Sequence, residues 1–265
     1  MRSFPGRLLV VGLIIVCSWL PITKASAEEA TAHEWRWSIA PYLFASDVDM
    51  SVLVSNEPVL GASVDFKDLL DKVDVVFPVH FRGQKGRHGF LFDVFYMSLS
   101  NSKSIMGPLP IPLALDTDTS LDMLILEMAG IFRPGGGEYG LDLLYGVRLI
   151  EEDIDLLVTL PTPPGGTTGV NFSESYWDVF GGVQYSGQLG SKWGYNVRGD
   201  VATGGTELTW NVVGLIAYHF GQTGKYTLLF GYRYMDIEIE ESAMGGDVTI
   251  EQTFSGPLIG FNIVF

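Results

Sequence analysis

Cysteine is almost missing from this chain: of 265 residues one is cysteine, Cys17, and it lies inside the first apolar run. Once that run is removed, disulfide frameworks, thiol nucleophiles and thiolate metal sites are excluded. Bases are also scarce, with 16 Lys and Arg facing 31 Asp and Glu. A surface that acidic repels polyanions, so nucleic acid is not an expected partner. Beyond the first 27 residues no unbroken apolar stretch approaches the roughly 18 residues that a membrane helix needs. Histidine is limited to His33, His80, His88 and His219. With so few bases of the right kind, no Ser/His/Asp constellation assembles, and phosphate-cradling loops and zinc-ligand spacing are missing too.

What is present begins with a leader. Arg2 and Arg7 precede an apolar run from Leu8 to Leu20, and Ala25-Ser26-Ala27 offers a cleavage site, so residues 1–27 read as a signal peptide and 28–265 as one domain. The leader carries Arg2, Arg7 and Lys24 and no acid, so 16 bases fall to 13 against 31 acids, a formal −18. Hydrophobic residues make up 47% of the chain, yet they are interrupted at every second position, which is the signature of a barrel wall.

The carboxyl-terminal stretch, Val248 to Phe265, shows this most clearly. Phe265, Ile263, Phe261, Ile259 and Pro257 share one face, and Val264, Asn262, Gly260, Leu258 and Gly256 the other. An apolar strand ending on an aromatic residue behind a secretory leader resembles the outer-membrane β-barrels of Gram-negative bacteria. In them the terminal strand addresses the barrel-assembly machinery, and Gly260, Ile263 and Phe265 match that signal, with Leu258 where a polar residue is usual. Upstream, Trp37-x-x-x-Pro41-Tyr42-Leu43, the segment Val64-Asp65-Phe66-x-Asp68-Leu69-Leu70, and Arg82-Gly83-x-x-Gly86-Arg87-x-Gly89 are similar to motifs of a group of uncharacterised members of that class. Phe44 and His88 stand where those proteins carry tryptophan. The resemblance implies fold and location and brings no activity.

Alternation marks nine further strands: Glu34 to Ala45, Asp74 to Gln84, Gly89 to Ser100, Ser120 to Arg133, one from Tyr139, one around Trp177 to Tyr185, then Trp193 to Ala202, Leu208 to Phe220, and one from Tyr226. Pro41 removes a ladder bond from the first, so a bulge or relaxed register is expected there. Met50 to Val54 and Val59 to Phe66 read as a hairpin above the membrane, and Asp68 to Val73 has helical spacing too short to persist alone. The expected fold is an all-β, antiparallel, transmembrane up-and-down barrel of about ten strands, with eight or twelve as alternatives depending on that hairpin. The face of each strand assigned to lipid is free of charge over most of its length. Its aromatics sit at strand ends: Trp35, Phe90, Tyr139, Trp193, Tyr226 and Phe265 at one rim, Tyr96, Trp177, Trp210 and Tyr234 at the other. After Tyr234, acids take over the lipid-side parity at Asp236, Glu238 and Glu240, which predicts either projection into water or a bulge.

The opposite face supplies the candidate site. Arg82, Asp93, Glu127, Arg133, Asp142, Arg148, Asp178, Arg198, Asp200 and Arg233 alternate into the lumen, nearly balanced in sign. They read as an ion-pair network filling the barrel, or as the lining of a narrow polar path or ligand pocket. The histidines map to the short-turn rim, away from the outer rim where an enzyme of outer-leaflet lipid or peptide needs its base. Asp116, Asp118, Ser120 and Asp122, with Glu127 at the twelfth place, imitate a calcium loop, but Leu121 occupies the glycine position. The expected role is therefore a monomeric structural barrel or a narrow, low-flux conduit without a cofactor. The alternative is a barrel enzyme acting on outer-leaflet lipid or peptide. Acids on the outer loops suit lipopolysaccharide bridged by divalent cations.

Overall fold

The computed structural model describes residues 34–54, 57–64, 73–106, 114–160, 166–221, 225–243 and 246–265. The leader and its cleavage site, His33, the short helical piece after Asp68 and most of the Val64 to Leu70 motif lie outside them. Within the described residues the chain is all strand, with no helix: β1 Arg36–Phe44, β2 Asp47–Val54, β3 Glu57–Val64, β4 Val73–Lys85, β5 His88–Met106, β6 Ala114–Phe132, β7 Gly140–Leu160, β8 Gly166–Gln188, β9 Trp193–Gly204, β10 Leu208–Phe220, β11 Tyr226–Ala243 and β12 Gly246–Val264. Ten of them close an antiparallel barrel in the order β1, β4 to β12, with β12 returning to β1. The two left over, β2 and β3, are the hairpin read from sequence. They pair with each other and with the outer half of β12.

Period-two alternation fixes which side each residue takes, and the lipid and lumen faces fall as read. On β9, Trp193, Val197 and Val201 are exposed while Arg198, Asp200 and Ala202 are buried. The aromatics form two bands. Trp35 stacks on Trp37 at 5.2 Å and Trp193 meets Tyr218 at 4.8 Å near the short turns, while Trp210 stacks on Tyr234 at 4.8 Å at the other end. On β10, Trp210 and Phe220 lie ten residues apart. At ~3.3 Å per residue and a tilt near 40° that is roughly 25 Å along the membrane normal, the height of a lipid-facing band. Tyr139 departs from the expected girdle: it lines the barrel mouth, and its hydroxyl accepts a 2.7 Å hydrogen bond from Gln188.

Pro41 relaxes the ladder without a bulge. Pairing of β1 with β12 lapses at Ala40 and Pro41 and resumes at Tyr42 opposite Gly260 in unchanged register. A second adjustment sits where β12 changes neighbours, from β1 below to β2 above. At Gly256 a Cβ would collide with the Ala45 carbonyl oxygen, so only glycine lets the crossing chain approach that closely.

Strands β5 to β8 run 19 to 23 residues, well past the membrane. Among the described residues, pairing of β5 with β4 ends at Leu99, of β8 with β9 at Asp178 and of β11 with β10 at Glu238. The barrel thus divides outward into two four-stranded walls, β5 to β8 and β11, β12, β2, β3. Residues 101–106 and 114–119, which the alternation leaves between the strands ending at Ser100 and starting at Ser120, are ladder instead. The alternation misses them because their polar Ser, Asp and Thr positions carry no apolar face to mark a strand. The β11 acids are explained by projection: Asp236, Glu238 and Glu240 continue in unbroken register with β12 and turn outward above the Trp210 band, while Met235, Ile237 and Ile239 turn inward and are buried.

Candidate functional site

The ten polar residues read as inward-facing all point into the lumen, and nine of them are at most 9% exposed, Arg82 being the part-exposed one. They form four groups. At the centre, Glu127 on β6 accepts two hydrogen bonds from Arg148, at 3.0 Å from Nε and 2.7 Å from Nη2, and one of 2.7 Å from Arg198 on β9. Arg148 Nη2 also donates to Asp200 at 2.6 Å, and Asn211 donates to the other Asp200 oxygen at 2.9 Å. Arg198 Nε lies 2.7 Å from that second oxygen at an angle outside hydrogen-bond geometry, so the contact is ionic. Arg233 completes the knot by donating to Asn211 at 2.9 Å. Planar forks explain why arginine holds these places: one guanidinium spans two acids from two strands. The rings of Phe180 and Phe44 flank the cations, Phe180 with Arg148 at 5.2 Å and Arg198 at 5.7 Å, and Phe44 with Arg233 at 5.7 Å.

Below the knot, toward the short turns, Asp142 is held by Arg82 at 2.7 Å and by Arg133 at 2.6 and 2.9 Å. Arg133 also donates to the carbonyls of Gly137 and Glu138, fastening the turn between β6 and β7. Asp93 forms a third group, accepting from the Tyr42 hydroxyl at 2.9 Å with His80 Nδ1 at the same distance. Asp178 stands apart: it accepts from the backbone and hydroxyl of Thr206, at 2.9 and 2.7 Å, and so fixes the short outer turn. Sequence reasoning missed Tyr42, His80, Asn211 and Thr206. Tyr42 and Asn211 share the lumen parity, which was the available signal. His80 corrects the placing of the histidines at the rim, since it sits mid-strand and belongs to the interior network.

Among the described residues the lumen holds two adjoining cavities. One of about 700 Å³ opens at the short-turn end. A second of about 240 Å³ lies above it beside the knot. Ser38, Arg82, Gln184, Asn196 and Asn262 line both. Above the knot the inward side chains change character: Phe44, Phe95, Ile125, Ile150, Tyr176 and Phe254, with their neighbours, form an apolar layer in which no member is more than 8% exposed. The chambers, the lower of mixed lining and the upper more apolar, therefore end beneath an apolar plug.

The calcium-loop reading is corrected. Asp116, Asp118, Ser120 and Asp122 lie in extended β6, paired residue by residue with β7, and a ladder cannot fold round a cation as a twelve-residue loop does. The outward face above the membrane is nonetheless acidic. Asp122 pairs across strands with Asp153, and Glu238 with Glu251. Burial pushes the Glu238 carboxyl up, with Glu251 and then Asp236 adding repulsion. At the other end Arg36, Lys85, Arg87, Lys192 and Lys225 are exposed around the short turns.

No protein-family model and no curated protein sequence matches the chain. Solved structures that align with it include the translocator domain of the autotransporter NalP from Neisseria meningitidis, at 11% identity and TM-score 0.47 over 97% of this chain and 95% of that one. The outer-membrane protease OmpT from Escherichia coli aligns at 9% and 0.42 over 89% and 98%. The attachment invasion locus protein Ail of Yersinia pestis aligns at 10% and 0.37 over 88% and 99%. Likeness at that level adds nothing to the barrel already read from the strand ladder.

Proposed function

We propose that the protein is a monomeric outer-membrane barrel acting as a narrow, low-flux conduit for a small neutral polar solute, held closed by the apolar layer, with its short turns in the periplasm. One observation carries the reading: a cavity of about 700 Å³ with a mixed polar and apolar lining adjoins a more apolar one of about 240 Å³, and the pair stops beneath side chains that exclude water. A purely structural barrel gains nothing from an open chamber lined by amides and hydroxyls. Such groups donate and accept at once, which suits a hydroxyl- or amide-bearing solute. Asp142, Glu127 and Asp200 offset part of the charge of Arg82, Arg133, Arg148 and Arg198, and Arg233 is held by Asn211, so the lining is less cationic than its arginines alone would make it. The outward acids would meet lipopolysaccharide through divalent cations, and Gly260, Ile263 and Phe265 on the closing strand would address the assembly machinery.

Planar-bilayer recording tests this. The native barrel is expected to stay closed for most of the record, and Phe44→Ala with Phe95→Ala, which removes a ring pair 6.0 Å apart from the plug, is expected to give steady conductance. If the truncated barrel folds and stays silent, the structural reading replaces the conduit.

A further inference from the structure

One polar contact crosses the plug from wall to wall. Gln252 on β12 donates from Nε2 to Glu152 Oε2 on β7 at 2.9 Å, and both residues are 1% exposed. Each has one oxygen left over: Glu152 Oε1 and Gln252 Oε1 are buried with no hydrogen-bond partner among the described residues. Two acceptors with no donor between them are an unstable pairing in an apolar layer. A single proton removes both defects. An amide and a carboxylic acid each present a donor beside an acceptor, and their terminal torsions are broad enough to bring the second pair edge to edge.

We propose that Glu152 is a proton-operated latch: protonated, it closes a ring of two hydrogen bonds with Gln252 that holds β7 against β12 across the plug, and on losing the proton it releases them. This rests on the closed-conduit reading above and names what regulates it. Turning the amide over only exchanges which oxygen takes the proton, so the latch does not depend on that assignment. The surroundings favour the neutral acid. On its own inward face the nearest charge is Arg148, four residues below and committed to Glu127 and Asp200. Across the ladders stand Met123 on β6 and Glu174 on β8, the latter exposed at the wall's edge. Facing it from β11 and β2 are Ile237, Ile239 and Met50. Other ionisable groups of these strands, Asp49, Asp122, Glu151, Asp153, Asp236, Glu238, Glu240 and Glu251, alternate onto the outward faces. Burial accordingly pushes the Glu152 carboxyl up from its ordinary range, opposed by the Gln252 bond. An ionised Glu152 would instead face Glu174, while the inward cation without a carboxylate partner among the described residues, Arg233 on β11, is engaged by Asn211 and Met235.

The sign follows: closure is tightest at low pH and weakens as pH rises through the Glu152 titration. Single-channel recording of the refolded barrel from about pH 4 to about pH 9 covers the ordinary carboxyl range and the values that buried glutamates reach. Opening frequency is expected to rise about tenfold for each pH unit within the titration window. Glu152→Gln keeps the two-bond ring through two amides, so it should stay closed across the range. It should also lose the infrared carbonyl band of a protonated acid that the native barrel shows at low pH. A native barrel without that band, or a Glu152→Gln barrel with native pH response, overturns the latch. The Phe44→Ala with Phe95→Ala barrel separates the two readings. If it conducts at every pH while Glu152→Gln changes nothing, the latch alone fails, and if it never conducts, the conduit fails with it.

Discussion

Arg148 is the residue on which the interior network turns, and replacing it by methionine gives a measurable consequence. Its side chain is wholly buried and makes three charge-assisted hydrogen bonds, two to Glu127 and one to Asp200. Each such bond contributes roughly 1.5–3 kcal/mol. Much of that is offset by the desolvation of the guanidinium itself, so the bonds do not simply add. What decides the cost is the remainder: Glu127 and Asp200 would both lean on Arg198, because Arg233 reaches Asp200 only through Asn211, leaving one buried carboxylate without a direct cation contact. Breaking a buried pair in this way costs about 3–5 kcal/mol, a factor of roughly 10² to 10⁴ in the folding equilibrium. Arg148→Met with Glu127→Gln removes the stranded charge along with its partner and is expected to recover at least half of the loss. Urea titration of the barrel in lipid vesicles, followed by tryptophan fluorescence, measures all three proteins. A single-variant cost below about 1 kcal/mol, or a double variant no better than the single, would show that water rather than protein neutralises Glu127, and the lumen would then be wet through the knot.

Two further outcomes follow from the geometry of the outer half. Gly256→Ala is expected to disturb pairing of β12 with β2 while leaving its pairing with β1, because the Ala45 carbonyl occupies the space a Cβ needs; amide exchange should accelerate at Val248 to Ser255 and not at Leu258 to Val264. Glu238 has a folded pKa raised by burial and by Glu251, so it stabilises nothing at low pH, where folded and unfolded chains are both protonated, and lowers stability as pH rises from the unfolded value toward the folded one. Glu238→Gln should therefore raise the melting temperature at neutral pH and leave it unchanged near pH 3, the difference being small because the group is partly open to solvent, which screens it.

How much of this was legible depended on contrast between faces. Within the membrane the two faces of a strand differ as sharply as lipid differs from a salt network, so Arg198 against Val197, or Asp142 against Leu141, declared their sides without a structure. The ten inward residues follow from parity alone. Their partners do not: Arg148 meets Glu127 on a neighbouring strand but Asp200 across the lumen, and no local pattern encodes which arginine crosses. Contrast also fails above the membrane, where water wets the outside. There Asp122 and Asp153 look like loop residues and Ile237 and Ile239 look like the wrong parity, although each obeys the same alternation with the solvents exchanged. Parity alone places Glu152 on the inward face with nothing to distinguish it from its neighbours, because its role comes from Gln252, 100 residues away.

That exchange of solvents explains why the plug stands where it does. In the membrane-embedded half the wall's outside is lipid, so apolar residues are used there and the inside is free to carry charge, provided every charge is paired. Past the Trp210 band the outside becomes water and takes the acids, and the only remaining place to bury apolar surface is inward. Walls that have lost their β4, β9 and β10 neighbours need that inward packing to stay together, since their edges are no longer closed by the ladder. The apolar layer is therefore both what joins the two walls and what blocks the lumen. Any change that parts the walls must open the lumen, and any solute that crosses must first part them. Conduction and outer-wall stability are then expected to vary inversely across variants of Phe44, Ile150 and Phe254: each truncation that raises conductance should also speed amide exchange in β7 and β12 above Ile150 and Phe254. A variant that conducts freely with those amides fully protected would separate the two properties and refute the coupling.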